Sequence, residues 1–149
     1  MKNVLILTEK KYAKEKIKEA ILNVKCMTIG GYAYTLDEEK FLSVSKEILD
    51  NSICVNYKDK NGTKEPVYIL NSQLVHDNCQ EILNFLKENN INIIVNACEY
   101  DKNGDYLFKY AVEDVMKLNN NKAYTFKRMN MLGITKESFV SAYNSIFNK

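Results

Sequence analysis

The stretch IIVNACEYDKNGDY, residues 93–106, decides the predicted fold, because a run of β-branched residues ends in acidic and amide side chains around one glycine. Such an apolar run is typical of a strand that is buried on both faces of a parallel sheet. Two unit charges about 4 Å apart repel by roughly 4 kcal/mol at an effective dielectric near 20, unless a cation or another partner offsets the repulsion. We therefore expect a partner for the carboxylates of this loop.

The same succession of strand and helix patterns extends outward over the rest of the chain. NVLIL at residues 3–7 is typical of a central parallel strand, and Ala13, Ile17, Ala20 and Ile21 follow it at helical spacing. The other predicted elements are a strand at 25–36, a weak helix at 37–49, a strand at 53–57, a turn at 58–66, helices around 75–86 and 104–118, a strand at 123–129, and a helix opened by Thr135 and Ser138. This order predicts an α/β fold with a mainly parallel central sheet, four strands or slightly larger, and helices on both faces.

Composition indicates an ordinary globular domain and says little about partners. The chain has 149 residues, of which 46% are hydrophobic, so we expect one domain spanning residues 1–149. A formal net charge of +2 does not by itself indicate nucleic acid, although basic and acidic residues could be segregated onto different faces. Arg128 is the one arginine, and therefore the one side chain able to contact a phosphate in a bidentate manner.

The cysteines, the histidine and the N-terminal segment argue against several classes of protein. The four cysteines include no C-x-x-C pair, and His76 is the single histidine, so the sequence does not favour a zinc site. A functional role for His76 would need an acid beside its imidazole ring, and the sequence does not identify one. The apolar run near the start is too short for a signal peptide or a membrane span, and we therefore expect a cytoplasmic protein with reduced thiols and no membrane contact.

Three carboxylates follow two of the predicted strands. Glu9 lies just past the end of the first strand, and Glu99 and Asp101 lie just past the strand at residues 91–97. If the two strands are neighbours, these side chains converge at the edge where parallel sheets bind ligands. Hard oxygen ligands without sulfur or imidazole suit Mg²⁺. The alternative is an ordinary solvated turn.

Three segments carry a resemblance to a known family. LILTEKKYAK, NACEYDKNGDYLFKYAVEDV and KRMNMLGITKESFVSAYNSI resemble the toprim domain of type IA DNA topoisomerases, and TIGGYAYTLD extends the resemblance over nearly the whole chain. The resemblance implies a toprim, Rossmann-like fold. It also implies a module for the Mg²⁺-dependent cleavage and rejoining of DNA phosphodiesters, with Mn²⁺ as an alternative ion.

The resemblance assigns roles to particular residues. In the family, a glutamate after the first strand acts as general acid or base, and Glu9 occupies its place. The acidic triad that holds the metal maps onto Glu99, Asp101 and Asn103. The resemblance thus implies Glu9 and Asp101 as catalytic residues, and Glu9, Glu99, Asp101 and Asn103 as metal ligands.

The resemblance also implies a nucleic-acid contact surface. Lys10 follows Glu9 as a lysine does in the family, Lys102 takes the place of an arginine in the acidic motif, and Arg128 matches an arginine near the DNA. For the two lysines, neutralisation of neighbouring acids is an equal alternative. For Arg128 the alternative is an isolated surface arginine.

Two departures from the family pattern leave a second function open. Glu99 is longer by one methylene than the family's aspartate, and Asn103 removes one charge. The family cleaves DNA with a tyrosine from a separate domain, so we expect this chain to be no complete topoisomerase alone. It would be either a stand-alone toprim protein that works with a partner protein supplying that domain, or the first domain of a split topoisomerase. The alternative is a non-catalytic, toprim-derived accessory module that binds nucleic acid or protein and has a degenerate metal site.

Overall fold

The computed structural model of the chain describes eleven secondary-structure elements and the segments next to them. The described residues are 3–9, 11–21, 23–29, 34–35, 53–58, 64–69, 72–99, 102–119, 122–131, 133 and 135–147. The elements are, in chain order, β1 Val4–Thr8, α1 Lys11–Ala20, β2 Cys26–Thr28, β3 Tyr34–Thr35, β4 Ile53–Lys58, β5 Lys64–Ile69, α2 Ser72–Glu88, β6 Ile93–Asn96, α3 Lys102–Leu118, β7 Thr125–Arg128 and α4 Lys136–Phe147.

The central feature is a four-stranded parallel sheet in the order β2-β1-β6-β7. Its register pairs Ile6 with Cys26 on one side of β1 and with Val95 on the other. The predicted α/β, Rossmann-like fold with a parallel sheet between helices is confirmed. The first strand and the strand before the acidic loop are neighbours, which meets the condition for their carboxylates to converge.

Successive residues of β1 point into two different cores, which explains why this strand is apolar throughout. Leu5 and Leu7 pack in the core formed with α2 and α3. Val4 and Ile6 pack in the core formed with α1 and α4. Since both faces of the strand are covered by helices, neither face can carry polar residues at low cost.

The path of the chain reverses beside β1. From β1 the chain passes through α1 to β2 on one side of the sheet, and later through α2 to β6 on the other side. It then continues outward through α3 to β7. In open α/β sheets, ligands bind outside the carboxyl ends of the strands at such a topological switch point. The carboxyl ends of β1 and β6 therefore flank the expected ligand position.

A second, antiparallel sheet in the order β3-β5-β4 corrects one prediction. The single strand predicted at residues 25–36 is wrong, because Cys26–Thr28 belongs to the parallel sheet and Tyr34–Thr35 to the antiparallel one. An alternating pattern cannot reveal that the chain leaves one sheet and enters another. The weak helix predicted at residues 37–49 lies outside the described residues.

The predicted turn at residues 58–66 is also too long. β4 extends to Lys58 and β5 begins at Lys64, with Pro66 inside the strand and paired with Asn56. On the other side of β5, the described strand β3 pairs only with Tyr68 and Ile69. Proline is tolerated inside a strand only where its missing N–H removes no ladder hydrogen bond, and the described part of β3 does not reach Pro66.

The remaining elements follow the sequence pattern closely. α3 begins at Lys102, two residues earlier than predicted. The hydroxyl of Thr135 accepts a hydrogen bond from the backbone N–H of Ser138 at 3.1 Å, which confirms Thr135 as the cap of α4. In the part of the chain that the structure describes, every helix is too short or too polar to cross a membrane.

Candidate functional site at the carboxyl edge of the parallel sheet

Glu9 is the buried carboxylate at this edge. It follows β1 directly and is 6% exposed. Its Oε1 accepts a hydrogen bond from the backbone N–H of Glu99 at 3.0 Å. The hydroxyl of Thr8 donates to the carbonyl oxygen of Ala97 at 2.9 Å and ties the same two loops together. The loops after β1 and β6 thus meet, and the Glu9 carboxylate lies where they meet.

The first turn of α3 closes this site from the other side. A Cβ added to the buried Gly104 would overlap the carbonyl oxygen of Glu99 and lie 3.0 Å from Oε1 of Glu9. The position therefore requires glycine, because any side chain would push the helix away from the loop. Since the N-terminus of a helix carries a partial positive charge, the proximity of α3 stabilises the negative charge of Glu9.

The guanidinium group of Arg128 fastens the loop after β6. Its Nη1 donates hydrogen bonds to the carbonyl oxygen of Asn96 at 3.1 Å, to Oδ1 of Asn96 at 3.0 Å and to the carbonyl oxygen of Cys98 at 2.8 Å. Its Nη2 donates to the carbonyl oxygen of Glu99 at 2.7 Å. Arg128 therefore holds the backbone that carries Glu99. A contact between Arg128 and nucleic acid stays a prediction.

Asn96 is a residue of this site that the sequence interpretation missed. Its Oδ1 also accepts a hydrogen bond from the backbone N–H of Cys98 at 2.9 Å, which folds the chain into a turn directly after β6. Its Nδ2 donates a long, 3.5 Å hydrogen bond to Asp105, and Asp105 lies 3.3 Å from Nη2 of Arg128. The signal in the sequence is a buried asparagine at the end of an otherwise apolar strand.

Cys98 lies within this network but takes no part in its chemistry. The side chain is fully buried. Burial, followed by the negative charge of Glu9, raises the pKa of the Cys98 thiol well above its ordinary value. A thiol that stays protonated is a poor nucleophile and a poor metal ligand, so Cys98 serves as packing.

The structure describes the other predicted site residues only in part. The side chain of Glu99 is exposed at the edge, whereas Lys10 and Asp101 lie outside the described residues. Lys102 and Asn103 begin α3, and their side chains also lie outside the described part. Among the residues that are described, no three or more His, Cys, Asp or Glu side chains are grouped closely enough to hold a metal ion. The oxygen donors of Glu9 and Glu99 nevertheless fit the ligand preference of Mg²⁺.

A cavity of about 320 Å³ lies between α2 and α3, away from this edge. Its lining residues are Ile69, Val75, His76, Cys79, Tyr110, Asp114, Lys117 and Leu118. Burial raises the pKa of Tyr110 to about 12 and also raises the pKa of Asp114. Asp114 is the acidic residue that the sequence did not associate with His76. The two belong to different helices, so only their packing brings them to one cavity.

Comparison of the chain with known protein families and with curated proteins finds no match. The resemblance to toprim domains therefore rests on the residues quoted from the sequence.

Proposed function

We propose that this chain is a toprim-type module that binds Mg²⁺, or Mn²⁺ in its place, and acts on DNA phosphodiesters together with a partner protein that supplies the nucleophilic tyrosine. The observation that carries the proposal is the buried Glu9 carboxylate at the topological switch point, fixed by the backbone N–H of Glu99 at 3.0 Å. Carboxylate oxygens are the ligands that Mg²⁺ prefers in proteins. Switch points are also where α/β sheets bind ligands.

Each residue at the edge has a role in this proposal. When bound, the metal ion would stabilise the negative charge on the phosphate oxygens. Glu99, Asp101 and Asn103 would hold it from the loop and from the start of α3, with Glu9 as a fourth ligand. Glu9 would move a proton to or from the reacting hydroxyl, because it lies at the same edge and is held in one orientation. Lys10 and Lys102 would contact the phosphate.

A second candidate function is a non-catalytic accessory module that binds nucleic acid or protein. Asn103 favours it, because an amide replaces one anionic ligand. The pairing of Asp105 with Arg128 at 3.3 Å also favours it, since that carboxylate is already partly neutralised. For either function we propose a cytoplasmic location, where the buried free thiols of Cys26 and Cys98 would stay reduced.

Glu9→Gln tests the metal site, because it removes the charge and keeps the shape of the side chain. We expect millimolar Mg²⁺ or Mn²⁺ to raise the melting temperature of the wild-type protein, since a ligand that binds only the folded state stabilises it. Glu9→Gln should lose this shift. Glu19→Gln is the matched control, because Glu19 is exposed on α1 and pairs with Lys16 at 3.7 Å. A wild-type protein that does not respond to either ion would contradict the metal site.

Asn103→Glu distinguishes the two candidate functions. With Mg²⁺ present, the added carboxylate should tighten metal binding by about 1 kcal/mol, the scale of one charge-assisted contact. In chelator, the same substitution should lower the melting temperature, because the repulsion from Glu9 and Glu99 outweighs the favourable interaction of the new carboxylate with the N-terminus of α3. Calorimetric titration and melting curves measure both effects. Equal affinities and equal melting temperatures of the two proteins would favour the accessory module.

A further inference from the structure

The cavity between α2 and α3 has an apolar floor that a ligand can reach. Its volume is about 320 Å³, at the lower end of the range for sites that bind small molecules. Ile69 of β5 and Val75 and Cys79 of α2 line it and are buried. Leu118, the last residue of α3, also lines it but is 43% exposed. Apolar surface therefore remains open at this cavity.

Asp114 places a negative charge beside this floor. The side chain is half-buried, and burial raises the pKa of its carboxyl group. In the part of the chain that the structure describes, this carboxylate makes no hydrogen bond or ion pair. Lys117 attracts it and Glu113 repels it, both from exposed positions on α3 where water screens the interaction. Folding thus desolvates the carboxylate without giving it a partner that offsets the cost.

We propose that this cavity binds a small aromatic ammonium ion, with the ring against the apolar floor and the ammonium group on the Asp114 carboxylate. An apolar lining with a small number of polar groups, one of them a perturbed titratable residue, is typical of small-molecule sites. The ammonium group would supply the charge-assisted hydrogen bond that the carboxylate lacks. The cavity is separate from the carboxyl edge, so this inference does not rest on the proposed function.

A cation fits this cavity better than an anion. An anionic ligand would bring its charge next to the Asp114 carboxylate, and the repulsion is largest where water is excluded. Lys117 could attract an anion, but its side chain is exposed and the attraction is screened. His76, on the α2 side of the cavity, is exposed as well. A volume at the lower end of the usual range suits a single ring with a short chain.

Phenethylamine, which is an ammonium ion at pH 7, is the probe. Its binding is followed through the amide signals of the isotope-labelled protein in two-dimensional NMR spectra. We expect saturable shifts for residues of α2 and α3 around the cavity. Hydrocinnamate carries a carboxylate in place of the ammonium group, and phenethyl alcohol carries a neutral hydroxyl. Each should bind at least about tenfold more weakly than phenethylamine.

Asp114→Asn identifies the carboxylate that holds the cation. It keeps the size of the side chain and removes the charge, so the affinity for phenethylamine should fall at least about tenfold. The affinity for phenethyl alcohol should stay within about twofold, because the contacts of the ring are unchanged. Glu113→Gln is the matched control, since Glu113 precedes Asp114 on the same helix but is exposed and does not line the cavity. It should change neither affinity by more than about twofold.

Cys79→Leu tests the apolar floor. The larger side chain would occupy the space where the ring lies, so phenethylamine and phenethyl alcohol should both bind at least about fivefold more weakly. Because Cys79 is buried, melting curves check that this variant folds. The result for Asp114→Asn decides the proposal without it.

The proposal is wrong if phenethylamine causes no saturable shifts at millimolar concentrations, or if the shifts lie away from α2 and α3. It is also wrong if hydrocinnamate binds as tightly as phenethylamine, or if Asp114→Asn and Glu113→Gln lose equal affinity. None of these measurements involves a metal ion. A failure of this site is therefore distinguishable from a failure of the metal site at the carboxyl edge.

Discussion

The carboxyl edge of the parallel sheet and the cavity between α2 and α3 both gather polar side chains, but they hold them differently. At the edge, Glu9 and Arg128 make hydrogen bonds of 2.7–3.1 Å to the loop after β6. At the cavity, Tyr110 and Asp114 border an apolar floor, and burial raises the pKa of each. The edge is therefore a region where polar groups stabilise the fold. At the cavity, an ionised side chain lowers the stability of the fold.

Arg128→Met should give the largest effect, because it removes the donor shared by the carbonyl oxygens of Cys98 and Glu99 and by Asn96. With hydrogen bonds to a charged group worth about 1.5–3 kcal/mol, we expect a loss of about 3 kcal/mol or more in the free energy of unfolding. Lys117→Met at the cavity should stay within about 0.5 kcal/mol of the wild type. Urea denaturation measures both, and equal losses would abolish the distinction between the two regions.

Arg128→Lys adds a sharper version of this test. A single ammonium group cannot replace the planar fork that reaches several acceptors at once. We therefore expect Arg128→Lys to recover less than half of the free energy of unfolding that Arg128→Met loses. Full recovery would show that charge alone, and not the geometry of the guanidinium group, holds the loop.

Gly104→Ala should give the next largest effect. The added Cβ would overlap the carbonyl oxygen of Glu99, so α3 or the loop must shift, and overpacking of this kind costs about 1–3 kcal/mol. Gly133→Ala is the matched control, because no atom lies within 4 Å of its added Cβ. Thermal unfolding measures both variants. A neutral Gly104→Ala would mean that the edge is less tightly closed than its contacts indicate.

Asp114→Asn should give the smallest effect, and with the opposite sign. Because the pKa of Asp114 is raised above 3.8 in the folded state, its ionised form destabilises the fold as pH rises through the folded pKa. We expect the variant to be more stable at pH 7, by less than about 1 kcal/mol for a half-exposed group, and this gain to vanish below pH 3.8. Melting curves across this pH range measure it.

Asp105→Asn supplies the contrast at the edge. This substitution removes the ion pair with Arg128 at 3.3 Å and should lower the melting temperature at pH 7. Since Asp105 is 59% exposed, the loss should be below about 1 kcal/mol. If Asp114→Asn and Asp105→Asn both raised or both lowered the stability at pH 7, the contrast between edge and cavity would be wrong.

Much of the fold follows from local pattern. The apolar runs of β1 and β6 indicated strands covered on both faces, and their alternation with helical patterns indicated a parallel sheet. The prediction failed at residues 25–36, because a short alternating segment contains no information about which sheet its halves join. It also missed Asn96, since a single asparagine after an apolar run is equally compatible with a simple strand end.

The α/β class and the positions of Glu9 and Glu99 just past two strands can be read from local pattern, because buried strands are apolar runs that end in polar residues. The same pattern does not show that these strands are neighbours at a switch point, that Arg128 holds the loop after β6, or that Asp114 and His76 line one cavity. These relations depend on contacts between residues far apart in the chain. Such contacts are selected by the packing of whole helices and strands and not by any local preference.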